Sequence, residues 1–377
     1  MKRYAIFALA VLLTGCSDPP YRVGVWAGPT GANVAKMAES EINFSGGANH
    51  RRLKAHLVAR GEVSQNLLTP ELLTANLDTM VTDSNVIAVV TRVLDDITEA
   101  ATRKFEAAGV PYFVLNPVDE NYAATHPHAF LLSPSIQDQA RFLIEQAARD
   151  KALDRVAIVH LKDSYGESMK DALEQALRER RANIVHVGRY SQSSDSANVL
   201  AVGLEVASKK PTSVFWAGRS PSLLIAYGSL LNRAEGVRVY GTDLVESYHV
   251  YQWPRRYDGL RFPRLIDPLS SDSVIAGLRD RQVIWIGRNE LINESVLTFD
   301  AMKLIDHALD NGATSRQSLT AYLRQLGTAN PAYAGTVGPI AFDAKQRASR
   351  PLQLAIVTHS AVGTLYNDST SVAASRD

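Results

Sequence analysis

From Tyr21 onward the chain alternates short apolar runs with helix-length segments almost without a break, and this alternation constrains the fold more than any other property of the sequence. Tyr21–Trp26, Leu53–Val58, Val86–Val90, Pro111–Leu115, Val156–His160, Asn183–Gly188 and Ser213–Ala217 read as strands. Between them, the segment through Ala38–Asn43, Pro70 to about Val81, Ile97–Ala108, Ile136–Arg149, Tyr165–Arg180 and Ala197–Ser208 read as helices. Val86–Val90 is apolar at every position, as a strand covered on both faces of a parallel sheet must be. Repeated βα units of this length imply parallel sheets flanked by helices, with right-handed crossovers. A chain of 377 residues exceeds one ordinary core, so two domains are expected. In such sheets ligands lie beyond the carboxyl ends of the strands. The loops after Trp26, Val90, Leu115, His160, Ala217 and Gly241 are therefore where a site is expected.

Composition narrows the class. Forty Lys and Arg against 39 Asp and Glu leave a formal net charge of +1, with no basic excess to attract nucleic acid. A single cysteine excludes a disulfide framework and any Cys-rich zinc module. That cysteine, Cys16, follows a positive Lys2-Arg3 pair and the nine apolar residues Ala5–Leu13. Such a run is too short to span a hydrocarbon core of about 30 Å, but it suits the apolar region of a signal peptide. Leu13-Thr14-Gly15-Cys16 resembles the bacterial lipobox, in which the cysteine thiol is acylated before cleavage. The alternative is an Ala-type cleavage site beside an incidental cysteine. The expectation is a signal peptide over 1–15 and a lipid on Cys16, with the body tethered on the periplasmic side of a bacterial membrane. Ser17 stands where an inner-membrane retention signal would place Asp, which leaves inner or outer membrane open.

A family resemblance rests on several short patterns in order. Glu41-Ile42-Asn43, then Gly46-Gly47-Ala48-Asn49 and Leu53, resemble the end of the first helix and start of the second strand in type I periplasmic binding proteins. Val156–His160 with Tyr165-Gly166-Glu167 is similar to the step that opens that family's second lobe. Thr298-Phe299-Asp300-Ala301 and Gly338–Asp343 resemble its C-terminal pattern, and the leucine/isoleucine/valine-binding group is the class approached. The resemblance implies an α/β fold of two Rossmann-like lobes with parallel sheets, joined by a three-strand hinge and closing on a ligand. Crossings are expected near Ser133-Pro134, Phe262-Pro263 and Gly338-Pro339. The first lobe would hold 21–133 and 263–338, the second 134–262 and 339–365, and 366–377 would be a disordered tail.

The candidate ligand-binding residues are Trp26, Arg92, Asp95, Asp96, Asn116, Tyr165, Arg219 and Asp243. In amino-acid binders of this family, hydroxyls and free helix N–H groups after the third strand hold the ligand carboxylate. The matching stretch, Thr91–Glu99, carries Asp95 and Asp96 instead. Asp96 and Glu99 have capping-box spacing, so the two aspartates either cap a helix or bind a cation or amine. Asn116-Pro117 replaces a second carboxylate contact. Tyr165 either lies over the ligand or packs in its own lobe, and Arg219 either holds an anionic group or sits on the rim. Asp243 falls where relatives pair a ligand ammonium, with Glu246 nearby. The segment between Gly28-Pro29 and Glu41 is about ten residues shorter than in typical relatives, or on the order of 15 Å of helix. Trp26 is then either core or the wall of a wider cleft.

Catalytic and metal signals are poor. His126-Pro127-His128 is the only close histidine pair, no further ligand has recognisable spacing, and no metal or cofactor is expected. No nucleophile elbow, phosphate loop or HExxH motif occurs, so the chain reads as a binder and not an enzyme. Two functions fit. One is a lipid-anchored solute-binding protein feeding an ABC permease of the branched-chain amino acid or amide type. The other is an envelope lipoprotein of the same fold that senses or regulates a protein partner, for example in cell-wall synthesis.

Overall fold

The computed structural model describes residues 18–58, 70–94, 96–191, 195–233, 236–246, 257–287, 291–357 and 365–367. Cys16, the signal segment, Asp95 and the tail from 368 lie outside the described residues, as does the side chain of Asp96. The first sheet is parallel throughout. It contains β1 (Tyr21–Trp26), β2 (Leu53–Leu57), β3 (Val86–Thr91), β4 (Tyr112–Val114) and β5 (Ala129–Leu131), in the order β2-β1-β3-β4-β5. Helices α1 (Pro29–Phe44), α2 (Pro70–Thr82) and α3 (Asp96–Ala107) link its strands, and a short α4 (Tyr122–Thr125) precedes β5. Every residue of β3 is buried, as its unbroken apolar run requires.

The second sheet contains β6 (Val156–Leu161), β7 (Ile184–Tyr190), β8 (Ser213–Ala217), β9 (Arg238–Gly241) and β10 (Arg261–Arg264), all parallel. Helices α5 (Ile136–Arg149), α6 (Ser164–Glu179), α7 (Ser196–Ser208) and α8 (Ser220–Arg233) accompany them. The remaining helices, α9 (Ser273–Ile286), α10 (Asn293–Asp310) and α11 (Arg316–Arg324), return to the first lobe, followed by a hairpin of β11 (Tyr333–Gly335) and β12 (Gly338–Ile340). The chain then crosses back to add β13 (Gln353–Val357) and β14 (Leu365–Asn367) to the second sheet. β13 runs antiparallel to β10. The cause is directional: β10 leaves for the first lobe from the end at which β13 arrives from it. β14 takes Tyr366 and Asn367 from the segment expected to be a tail.

Leu132 is buried in the first lobe's core and Ile136 in the second's, so the first crossing spans Ser133-Pro134. The second falls just after β10, whose Phe262 still packs in the second lobe while Leu265 packs in the first. Gly338-Pro339 form no crossing. They belong to the first lobe's hairpin, with Ile340, Phe342 and Ala348 buried in its core, and the chain passes over only at 349–352. Asp300 anchors this region: it accepts from the Thr336 N–H (2.8 Å), the Thr336 hydroxyl (2.6 Å) and Arg350 Nη2 (2.9 Å), all buried. The Thr298–Ala301 pattern is therefore a clasp on the hairpin and the last crossing.

Two glycines in the family patterns answer steric demands. Gly47 has φ +82°, a left-handed conformation suited to glycine, and a Cβ there would lie 2.4 Å from the Arg51 carbonyl oxygen. At Gly166 a Cβ would lie 2.0 Å from the Leu161 carbonyl oxygen, so the turn from β6 into α6 requires its absence. The first sheet packs on α1, α10 and α11 on one face and on Leu77, Met80 and Phe105 of α2 and α3 on the other. Full burial of a side chain such as Phe105 contributes on the order of 2–3 kcal/mol.

Candidate binding cleft

Because the crossings leave from the carboxyl ends of β5 and β10, the carboxyl ends of both parallel sets face the region between the lobes. On the first lobe, β3 ends at Thr91 and the chain enters the loop of Arg92, Val93 and Leu94. The Val93 N–H donates to Asn116 Oδ1 (2.7 Å), and Asn116 Nδ2 returns to the Val93 carbonyl (2.7 Å) and the Pro117 carbonyl (3.1 Å). The Leu94 N–H donates to Thr98 Oγ1 (2.9 Å). These backbone donors, which could cradle a carboxylate, are satisfied by the chain's own side chains. Asn116 is buried and holds the loop, so its expected ligand contact gives way to a positioning role. Helix α3 begins at Asp96, which puts its cap position on Asp95, outside the described residues, and Glu99 lies in its first turn. Its carboxylate reaches the Tyr122 hydroxyl (3.2 Å) and His126 Nε2 (3.2 Å).

The start of α1 is organised by a residue the sequence reading missed. Gly28, its N-cap, has no side chain to offer, and its N–H donates to Glu294 Oε1 (2.5 Å) from the first turn of α10. A carboxylate at a helix N-terminus interacts favourably with the free N–H groups and the dipole. The other oxygen, Oε2, lies 3.4 Å from Arg92 Nη1. Gly31 leaves space for this carboxylate, since a Cβ there would stand 2.6 Å from Oε1. The one hint in the sequence was an acid in the first turn of a helix whose N-cap position, Ile292, cannot cap. Trp26 does not line the cleft. It is 3% exposed and packs with Val58, Leu77 and Met80 under α2, because the alternation of β1 turns it to that face.

On the second lobe, Tyr165 is buried among Ile158, Phe215 and Tyr240, so its ring lies in its own core and not over a ligand. Its hydroxyl donates to Asp243 Oδ1. The Asp243 N–H donates to Gln139 Oε1 (3.3 Å) at the start of a 3-10 turn over Asp243–Val245. Burial raises the Asp243 pKa, while the Tyr165 and Gln139 hydrogen bonds and the Arg92 charge oppose it. Glu246 accepts from the Asn293 N–H of α10 (2.7 Å) and lies 4.0 Å from the fully buried Arg264. Burial pushes its pKa up to about 7, against the Arg264 charge and the Asn293 hydrogen bond. Neither acid is held in reserve for an ammonium group: each has a protein donor. Arg219 is exposed immediately before α8, its carbonyl accepting from Ser222 Oγ (2.8 Å).

The two histidines of His126-Pro127-His128 diverge. His126 stacks on Tyr122 with ring centroids 4.0 Å apart and meets Glu99, while His128 Nδ1 pairs with Glu106 at 2.7 Å. Among the described residues no group of three or more His, Cys, Asp or Glu could hold a metal ion. A surface depression of about 510 Å³ between α4 and α11, lined by Asn121, Arg324 and Lys345, lies away from both strand ends and holds none of the expected residues.

Residues 24–361 match the model of a family described as periplasmic binding protein. No curated protein sequence matches the chain. Among solved structures it resembles the leucine-binding protein LivK of Thermotoga maritima, with 15% identity over 92% of this chain and 97% of that one and a TM-score of 0.75. The branched-chain amino acid transporter substrate-binding protein LivJ of Streptococcus pneumoniae, in complex with isoleucine, is also similar, at 15% identity over 93% and 100% of the chains and a TM-score of 0.75. A solute-binding protein of an ABC transporter from R. palustris, in complex with benzoate, is similar at 15% identity over 93% and 95%, with a TM-score of 0.76.

Proposed function

The chain belongs to the periplasmic binding protein family, and from that premise we propose that it is an extracytoplasmic solute-binding protein, anchored by lipid on Cys16, that captures a small ligand between its lobes for an ABC importer. The observation that carries this reading is the meeting of polar groups from both lobes beyond the sheet ends. Arg92 and Glu294 come from the first, Asp243, Tyr165 and Gln139 from the second, and Glu246 of the second accepts from the Asn293 N–H of the first (2.7 Å). A ligand seated there would touch both lobes and stabilise the closed form by contacts the open form lacks. Two of the structural neighbours hold isoleucine and benzoate, small carboxylates of a kind that Arg92 could pair here. The chain binds and does not catalyse. Among the described residues no helix is long and apolar enough to cross a membrane.

One observation favours a second reading, that of a regulator of a protein partner. The first lobe's Gly28, Val93 and Leu94 N–H groups are all satisfied internally, which withholds these three donors from an amino-acid carboxylate. Thermal unfolding of the full chain against amino acids, amides, aromatic acids and polyamines separates the two. Solute binding predicts a rise of several degrees with one class, since a ligand stabilises the form it binds. Silence across the panel, with an envelope protein recovered by cross-linking, favours the regulator. Radiolabelled palmitate incorporation lost in Cys16→Ala checks the anchor.

A further inference from the structure

The two lobes repeat one strand order around their first strands: β2-β1-β3 in the first sheet and β7-β6-β8 in the second. In each, the point between the central strand and the next is where connections turn to opposite sides, and there ligands approach doubly wound sheets. β3 ends at Thr91 and Arg92 follows; β8 ends at Ala217 and Arg219 follows after Gly218. Each lobe thus presents an arginine just beyond the carboxyl end of its equivalent strand.

Arg92 is available to a ligand. Its side chain is 29% exposed, and its one ion pair among the described residues is the 3.4 Å approach to Glu294. Glu294 is fixed by the Gly28 N–H, so it orients the guanidinium, and among the described residues most of the five N–H donors have no other partner. Arg219 is exposed. Among the described residues, Asp243 is engaged by Tyr165 and Glu246 by the Asn293 N–H, and burial favours the neutral form of Asp243. Closure would bring the two loops that carry them toward one another, which like-charge repulsion opposes until an anion lies between them. A guanidinium fork also supplies the carboxylate contact that the internally satisfied N–H groups cannot.

We propose that the cleft takes a ligand with two anionic groups, in the simplest case a dicarboxylate, one carboxylate on Arg92 and the other on Arg219. The proposal rests on the solute-binding reading and adds the class of solute. Isothermal titration calorimetry of the full chain in non-ionic detergent, with glutarate and terephthalate beside leucine, benzoate and putrescine, tests it. The expected result is a dicarboxylate bound at least about tenfold tighter than either monocarboxylate, with affinity falling as salt rises. Arg219→Gln should lower dicarboxylate affinity by about 10- to 100-fold, to the level of a monocarboxylate, and Arg92→Gln should remove binding of both, with Arg92→Lys restoring part. Best binding by leucine or putrescine, or by benzoate with Arg219→Gln unaltered, overturns the two-anion assignment and leaves solute capture standing. No binding of any probe by a chain that still unfolds cooperatively overturns solute capture, and this proposal with it.

Discussion

The facing ends of the two lobes solve the same problem in opposite ways. The first lobe satisfies its exposed backbone donors with side chains brought from far along the chain, Asn116 onto Val93 and Glu294 onto Gly28, and leaves a cation, Arg92, outermost. The second lobe sinks its acids. Asp243 is met by a tyrosine hydroxyl of its own lobe and Glu246 by Arg264 and the Asn293 N–H of the first lobe's α10, and burial pushes both toward the neutral form. A carboxylate that caps a helix makes an ionic surface rigid; a carboxylate that is buried makes its lobe sensitive to proton concentration. The contrast explains how two similar βα lobes can present unlike chemistry to one ligand.

Breaking the second lobe's arrangement should cost most. Glu246→Ala removes the carboxylate from beside the buried Arg264 and the acceptor of the Asn293 N–H, and should destabilise the fold by about 3 kcal/mol in urea unfolding, toward the low end for a disrupted buried ion pair. In the first lobe, Glu294→Ala should cost about 1–2 kcal/mol, the range of a lost helix cap, and weaken ligand binding through the loosened Arg92. Asn116→Ala leaves the Val93 N–H and carbonyl without their amide partner and should cost about 1–3 kcal/mol, whereas a change at exposed Arg219 should leave stability within about 0.5 kcal/mol.

The lobes should also differ in pH response. Glu246 ordinarily loses its proton near 4.5 but in the fold retains it to about 7, so the folded state binds more protons between those values. Stability should therefore fall as pH rises from about 4.5 through 7 and then level off, and Glu246→Gln should flatten that slope. A smaller term of the opposite kind belongs to the first lobe. The His126 hydrogen bond lowers Glu99 despite burial; burial alone would lower His126, but Glu99 and the Tyr122 carbonyl raise it on balance. Their contribution, about 1 kcal/mol or less, is complete between the ordinary values of 4.5 and 6.5. It is lost as pH falls through the lowered Glu99 value or rises through the raised His126 value, so Glu99→Gln should trim the acidic side of the stability curve.

Local pattern carried the strands and helices well. Ile136–Arg149 and Ser213–Ala217 have the limits their periodicity implies, because each is set by burial along its own length. The family patterns likewise located glycines whose role is steric and local. The site was far less legible. Glu294 reaches Arg92 across 202 positions of chain and Tyr165 reaches Asp243 across 78, and nothing in the spacing of either residue announces a partner that distant. Asn116, Trp26 and Tyr165 stand at strand ends or helix starts, as expected of site residues, yet the direction each side chain takes is decided by packing with other elements. The misplaced third crossing has the same origin: a Gly-Pro pair marks a turn equally well in a hairpin, and only the burial of Ile340 and Phe342 distinguishes the two.

The antiparallel strand β13 has a consequence for the order in which the molecule can be made. It covers the flank of β10, yet it arrives only at Gln353–Val357, after α9, α10, α11 and the hairpin have been laid down in the other lobe. A nascent chain that stops short of Gln353 therefore holds a second sheet with a bare edge at β10, unable to finish before almost all of the polypeptide is available. For a polypeptide threaded through a secretion channel from its amino terminus, late completion is an advantage, since an unfinished sheet cannot jam the passage.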